Sequence, residues 1–295
     1  MATSIDLVTA FVRVLDTVYK QESKTAVLDA LTESPSFLNA NAVKVMQLST
    51  VGLGTYSRTT GYPAGDITAE WVTMTLAAER GRGFTLDRMD NEESFGLIMG
   101  RLIREWMRVH VAPELDAYRF AKYATGAGSE VGSGATLTDA DIIPALDVAK
   151  LALDEDEVPE DGRILFLSHT LKQELEQKVG RSLANETRVN RLVEVWDGMQ
   201  VIGIPQGRFY TQVTLNAGAT SDVGGYVKTV STGKDINFLM MHPSAVCQPV
   251  KLNQVKYFSP EINQTTDGHL WQSRIYHDAF VYDNKETGIY LHMKA

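Results

Sequence analysis

One cysteine, Cys247, is all the thiol that this 295-residue chain carries. An internal disulfide is therefore impossible, which suits a reducing compartment. Basic charge is scarce too: Lys and Arg number 28 against 37 Asp and Glu, giving a net charge of −9 and a pI near 5.2. That balance argues against a surface built to neutralise nucleic-acid phosphates. No apolar run approaches the ~20 residues that a membrane helix needs. The start, Met-Ala-Thr-Ser-Ile-Asp-Leu-Val, lacks the basic end and apolar stretch of a signal peptide. The triplets at Asn185 and Asn263 match a glycosylation acceptor but mean nothing without secretion. A soluble intracellular product is expected.

Recognisable site chemistry is lacking as well. There is no Gly-Lys-Ser/Thr phosphate loop. The run from Gly126 through Gly128 to Gly132 has the wrong spacing for a dinucleotide loop, and it follows a helix where that chemistry needs a strand. The six histidines (110, 169, 242, 269, 277, 292) show no metal-ligand spacing. Ser273, His277 and Asp278 share one predicted strand, with Asp278 facing away from the other two, which is poor geometry for a relay. Cys247 reads as a small buried hydrophobe. No catalytic residue, cofactor or metal is expected.

What is present is built for surfaces. Val43 to Val51 and Ile67 to Leu76 alternate β-branched, aromatic and polar residues at period two, with Trp71, Thr73 and Thr75 on one face. Four glycines (52, 54, 61, 65) and a proline occupy the connection Gly52 to Asp66, which is too long for a tight turn and reads as functional or mobile. Two such arms would project about 30 Å. An isolated two-stranded ribbon is marginally stable in water, so something outside this chain should cover it; the bland alternative is a hairpin inside an ordinary sheet. A second Gly-punctuated turn then leads into a long helix.

That helix starts at the capping box Asp90 and Glu93 and continues through Phe95, Leu102, Trp106 and Tyr118 to Gly126, bent near Pro113. At 1.5 Å per residue it would be about 50 Å long, a beam rather than a domain-crossing helix of an enzyme. Its apolar face should bury Trp106. Arg101, Arg104 and Arg108 line another face, either as a solvated stripe with an Arg101–Glu105 pair or as a subunit or DNA-facing contact. Before the ribbon, residues 1–42 form an arm with helical pieces, one over 24–31. After the long helix, 126–134 reads as a flexible joint, and Thr138 caps a helix over 139–153 that ends in a solvated acidic run, 154–157. Then come a buried strand at 163–167, a helix over 169–177, and a strand, Asp-Gly turn and strand across 195–205. Residues 216–235 read as loop, 236–241 as strand, and 270–282 and 288–293 as closing strands. Helix and strand interleave without a βαβ repeat, which favours α+β.

In this order, arm, glycine-tipped ribbon, long helix, α/β insertion and closing strands, the chain resembles the tailed-bacteriophage major capsid proteins of the Hong Kong 97-type fold. The stretches that carry the resemblance are Thr60-Gly61-Tyr62 with Gly65-Asp66, Arg80 through Asp87, Met89-Asp90 and Pro113 through Ala117. Further on they are Trp196-Asp197-Gly198, Ile202 through Pro205, and Tyr276 through Phe280. The resemblance implies a subunit of an icosahedral virion shell, assembled in the host bacterial cytoplasm from hexamers and pentamers of itself around double-stranded DNA held by confinement. It implies an N-terminal arm (1–42), an extended loop over a neighbouring subunit (43–84), a peripheral domain carrying the spine helix (85–138), an inserted axial domain (139–245) and returning peripheral strands (246–295). Portal, decoration protein and a separate scaffolding protein are implied partners, the last because no scaffold-like extension precedes the arm and Met1 reads as a natural start. Interface candidates are Tyr56, Arg58, Tyr62 and Asp66 at the ribbon tip, Trp71 on its arm, Arg80 and Arg82 beyond it, and Arg101, Arg104 and Arg108 on the helix. Some members of the family join a loop lysine to a neighbour's asparagine. Between Gln47 and Leu86 this chain has no lysine, so a shell without covalent cross-links is expected. The rival readings are an encapsulin-type nanocompartment shell of the same fold and, from another class, a soluble α+β enzyme.

Overall fold

The computed structural model describes residues 23–31, 42–93, 97–133, 137, 141–178, 182–185, 188–190, 193–218 and 223–294. The sequence expectations at Phe95 and Thr138, and for most of 1–42, lie outside these residues. Before and around the ribbon come helix α1 (Ala26–Leu31) and strands β1 (Ala42–Thr50), β2 (Ile67–Thr75) and β3 (Ala78–Asp87). The long helical passage consists of α2 (Arg88–Glu93), α3 (Leu97–Trp106), a π-helical turn Met107–Val111 and α4 (Ala112–Thr125). The middle of the chain holds β4 (Ser129–Ser133), α5 (Ile142–Glu155), β5 (Ile164–Ser168), α6 (His169–Lys178), β6 (Ser182–Asn185), β7 (Arg188–Asn190), β8 (Val195–Trp196) and β9 (Met199–Ile204). The rest comprises β10 (Val213–Leu215), β11 (Tyr226–Lys228), β12 (Ile236–Met241), β13 (Val246–Cys247), β14 (Val250–Phe258), β15 (Gly268–His277), β16 (Phe280–Val281) and β17 (Ile289–Lys294).

A six-stranded sheet in the order β4-β17-β12-β5-β9-β8 carries the main core. Its pairing is mixed, with β4 parallel to β17 and β5 parallel to β9. β5 is buried at every position, as expected of a strand covered on both faces. The side chains alternate accordingly: Ile164 and Phe166 pack with Phe120 and Tyr123 of α4, and Leu165 and Leu167 pack with Ile142, Leu146, Leu171 and Leu175 of α5 and α6. Neighbouring strands repeat the division, since Leu239 and Met241 join the α4 side and Phe238 and Met240 the α5 side. At the β8–β9 turn Asp197 (φ 47°) and Gly198 (φ 81°) both adopt positive φ, the backbone that a tight hairpin demands.

A second sheet, β14-β15-β3, holds an aromatic row across its strands: Tyr257, Trp271 and Phe84 are successive partners in register. Trp106 meets Phe84 edge-on at 5.5 Å between ring centroids, which fastens the long helix to this sheet. Trp106 is only half-buried, not fully enclosed as its position on the helix suggests.

Several expectations need correction. The stretch read as a turn before the helix is β3, ten residues paired with β15; Gly81 and Gly83 interrupt its apolar alternation, and pairing partners far away in sequence override that signal. The paired ribbon therefore ends at Thr75. The helix begins at Arg88, ahead of Asp90, with the Asp87 carboxylate accepting from the Met89 amide at 2.9 Å. Pro113 lies just past the π-helical turn, whose backbone absorbs the irregularity. The joint at 126–134 contains β4, drawn into the main sheet by β17. Helix α5 starts at Ile142 after Asp141. In its acidic end Asp154 is an ion-pair partner of the buried Arg163, at 2.6 Å. Residues 216–235 contain β11, and 250–258 form β14, whose Lys, Asn and Gln hide the alternation. The closing strand breaks after His277, and a 3₁₀ turn over Asp283–Gly288 stands where a short turn was expected. The tail also divides: β14 and β15 complete the second sheet, whereas β17 enters the main one.

Candidate assembly surfaces

The ribbon pairs antiparallel without a slip from Ala42↔Thr75 to Thr50↔Ile67. Residues directly opposite share a face, so register sorts the side chains. Gln47/Glu70 and Ser49/Thr68 make one distal face polar. The other carries Met46 opposite Trp71 and Leu48 opposite Ala69, with Ile67 beyond, and it is open: Met46 is 54%, Leu48 57%, Trp71 60% and Ile67 74% exposed. At the root, Val43 and Met74 are buried; farther out, on the polar face, Gln47 Nε2 donates to Asp283 at 2.8 Å.

The tip contains a tight turn within an otherwise irregular connection. Ser57 and Gly61 exchange backbone hydrogen bonds of 3.2 and 2.8 Å, with Gly61 at φ 81°. The Ser57 hydroxyl also accepts from the amides of Thr59 and Thr60. Tyr56 and Tyr62 flank this turn with ring centroids 5.0 Å apart, and Tyr62 is 88% exposed. Arg58, within the turn, and Asp66, at the foot of β2, are exposed. The structure thus brings Tyr56, Arg58 and Tyr62 together at one small projecting feature.

The basic candidates separate. Arg80 forms a paired contact with Glu114 and donates to the carbonyls of Asn216 and Gly225, so it fastens its own subunit together. Arg82 is exposed and lies against the 216–225 loop, where a Cβ at Gly218 would come within 2.7 Å of its Nη1. Arg108 bonds Glu105 three residues before it, at 2.7 Å, and the expected Arg101–Glu105 pair lies outside the described side chains. Arg104 is exposed, and the side chain of Arg101 lies outside the described residues. A cleft of about 360 Å³ opens between β3, the helix and this loop, lined by Phe84, Trp106, His110 and Glu114 among others. Among the described residues no group of three His, Cys, Asp or Glu side chains could hold a metal ion. None of the described helices is long and apolar enough to cross a membrane.

Two buried carboxylates, not apparent from the sequence, fix the surfaces in place. Asp116, fully buried on α4, accepts from the Ser23 hydroxyl (2.7 Å), the Lys24 amide (2.9 Å), the Thr25 hydroxyl (2.8 Å) and Arg208 (3.0 Å). It pins the entering chain and the 206–208 turn to the helix. Arg119, one turn on, holds Thr25 and Asp29. Asp278 accepts from the Tyr118 hydroxyl at 2.9 Å and from the amide of Ala77, the link between ribbon and sheet, at 2.7 Å. Burial, with the Asp278 charge beside it, holds the Tyr118 phenol well above its ordinary range. His277 packs edge-on to Tyr118. Burial and the nearby Arg119, opposed by Asp278, push the His277 imidazole down to about 4. Asp278 serves the ribbon joint and not a relay, and Ser273 and His277 make no bond to each other.

No family model matches the chain, and no curated protein matches it in sequence. Solved structures do. The capsid structure of the cyanophage P-SCSP1u matches at TM-score 0.66 and 14% identity, over 96% of this chain and 90% of that one. The mature capsid of bacteriophage PhiM1 matches at 0.66 and 11%, over 98% and 92%. A Mycobacterium phage Che8 structure matches at 0.58 and 12%, over 99% and 98%. Identity this low speaks of architecture alone, and on that evidence the chain has the fold found in these phage capsids.

Proposed function

We propose that the chain is the major capsid protein of a tailed double-stranded DNA bacteriophage, a structural subunit whose many copies close into an icosahedral shell around the genome. The observation that carries the reading is the end-to-end likeness to phage capsids, which covers nearly all of both chains. The surfaces agree with it. A projecting ribbon with one open apolar face and a tyrosine-flanked tip suits contact with other copies, where aromatic and Arg side chains are favoured anchors. Each contact would bury on the order of 1,000 Å² or less, and shell closure multiplies such modest contacts. The net charge of −9 suits a container that holds DNA by confinement.

Within this reading the assignment is the Hong Kong 97 type, with the ribbon as extended loop, residues 88–125 as spine helix of a peripheral domain, and the main sheet with α5 and α6 as axial domain. Scaffolding protein, portal and decoration protein are the expected partners, and the virion the expected location. Sedimentation velocity of the purified protein tests it. Megadalton particles are expected, and only small multiples of 32.6 kDa would contradict the reading.

A further inference from the structure

The cleft between β3, the helix and the 216–225 loop holds a cation that the subunit positions and leaves unpaired. Arg80 is neutralised by Glu114 and donates to the carbonyls of Asn216 and Gly225. Arg82, two residues along and on the same face of β3, makes no hydrogen bond or ion pair among the described residues. Its guanidinium is held all the same. Gly218 (φ 70°) and Gly224 (φ 81°) lie against it, where a Cβ would stand 2.7 Å and 3.4 Å from Arg82 Nη1. Glycine at both positions supplies a left-handed backbone and leaves room for the cation. The half-buried rings of Phe84 and Trp106 and buried Ile275 line the same cleft. So does His277, four residues along β15 from Ser273, the register partner of Arg82, which sets the two positions about 13 Å apart. His277 is only 4% exposed, and its Nδ1 has no hydrogen-bond partner among the described residues. A buried polar atom left so is uncommon and calls for a partner.

We propose that this cleft is a binding site for a small hydroxyaryl carboxylate, with the carboxylate on Arg82, the ring against Phe84 and Trp106, and the hydroxyl on His277. The volume of about 360 Å³ falls within the range of roughly 300–1,000 Å³ usual for small-ligand sites. A guanidinium fork matches a carboxylate with two parallel N–H donors. The charge balance selects a monoanion, since a dianionic phosphate ester would place its second charge beside Glu114. Aromatic walls favour a flat ring over an open chain. At the buried end the His277 imidazole is kept neutral by burial, so it offers a hydrogen bond and no second positive charge. A hydroxyl both donates and accepts, and therefore serves either tautomer of that ring. The site belongs to the single subunit and lies apart from the ribbon's apolar face.

Isothermal titration calorimetry of the full chain with 6-hydroxy-2-naphthoate tests the site. Saturable binding at one site per subunit is expected, with a dissociation constant below about 1 mM. Arg82→Gln should weaken it by roughly tenfold or more, because a charge-assisted bond is lost. Arg82 is exposed and unpaired, so the melting curve of that variant without ligand should match the parent's. The uncharged 6-hydroxy-2-naphthamide should bind the parent about as weakly as the carboxylate binds Arg82→Gln. Removing the hydroxyl, as in 2-naphthoate, should cost roughly threefold to tenfold through the bond lost at His277. No saturable binding by the parent, or equal binding by Arg82→Gln, would overturn the proposal. Equal affinity for the two naphthoates would overturn the contact given to His277. The titration applies whether the chain is recovered as shells or as free subunits, so the shell reading stands or falls separately.

Discussion

Asp116 shows how a single buried carboxylate can organise a subunit. It holds the entering chain through Ser23, Lys24 and Thr25 and neutralises Arg208, which is itself buried. Removing one partner of a buried ion pair leaves the other charge uncompensated. Asp116→Ala is therefore expected to destabilise the subunit by roughly 3–5 kcal/mol, measured as a shift of the urea unfolding midpoint. A midpoint within error of the parent would remove Asp116 from this role. His277 makes a second residue-scale prediction. Its unfolded imidazole titrates near 6.5 and its folded one near 4. Between those values the unfolded chain binds a proton that the folded chain refuses, so stability falls as pH drops from about 6.5 to about 4. The loss reaches at most ~3 kcal/mol, since one pKa unit is worth about 1.4 kcal/mol. Urea midpoints across that window should fall less for His277→Gln than for the parent, and parallel curves would contradict the assignment. Neither residue stands out in the sequence. An Asp and a His among many polar neighbours reveal burial only once distant segments close around them.

The ribbon is the element on which assembly is expected to turn. Its strands make no contribution to the two main cores, and only its root, Val43 and Met74, is buried. Replacing 54–66 with a short turn should leave a soluble subunit with an unchanged melting curve that no longer closes shells. Normal particles from that variant would contradict the role given to the tip. The ribbon was legible in the sequence because period-two alternation and bounding glycines are local signals; so were the buried strand β5, helix α6 and the Asp197-Gly198 turn. β3 and β14 were not. Gly81 and Gly83 erase the alternation of one, and the polar residues of the other face solvent, so both exist because β15 pairs with them. The tip was legible as a set of residues, whereas its order, set by Ser57 and Gly61, depends on bonds that the sequence does not display. Arg80 reads in the sequence as a lone cation beside the ribbon, and its Glu114 partner appears only once the fold brings the two together.

At the scale of the whole molecule, the mixed sheet and the helical passage hold the core, while the ribbon leaves Met46, Leu48, Ile67 and Trp71 exposed. In the proposed shell, stability would then have to come from area buried between copies. The ribbon offers no lysine from Gln47 to Leu86, and its arginines stay protonated and are not nucleophiles. Mature particles boiled in detergent under reducing conditions should run as one band near 32.6 kDa, and a ladder would refute the non-covalent account and point first to Lys44. The central claim is that this chain is a shell subunit reaching over its neighbours. Electron cryo-microscopy of particles assembled from the purified protein measures that directly. The account predicts a closed icosahedral wall in which the 42–75 ribbon of every copy lies on another copy; a small oligomer whose ribbons lie on their own subunits would contradict it.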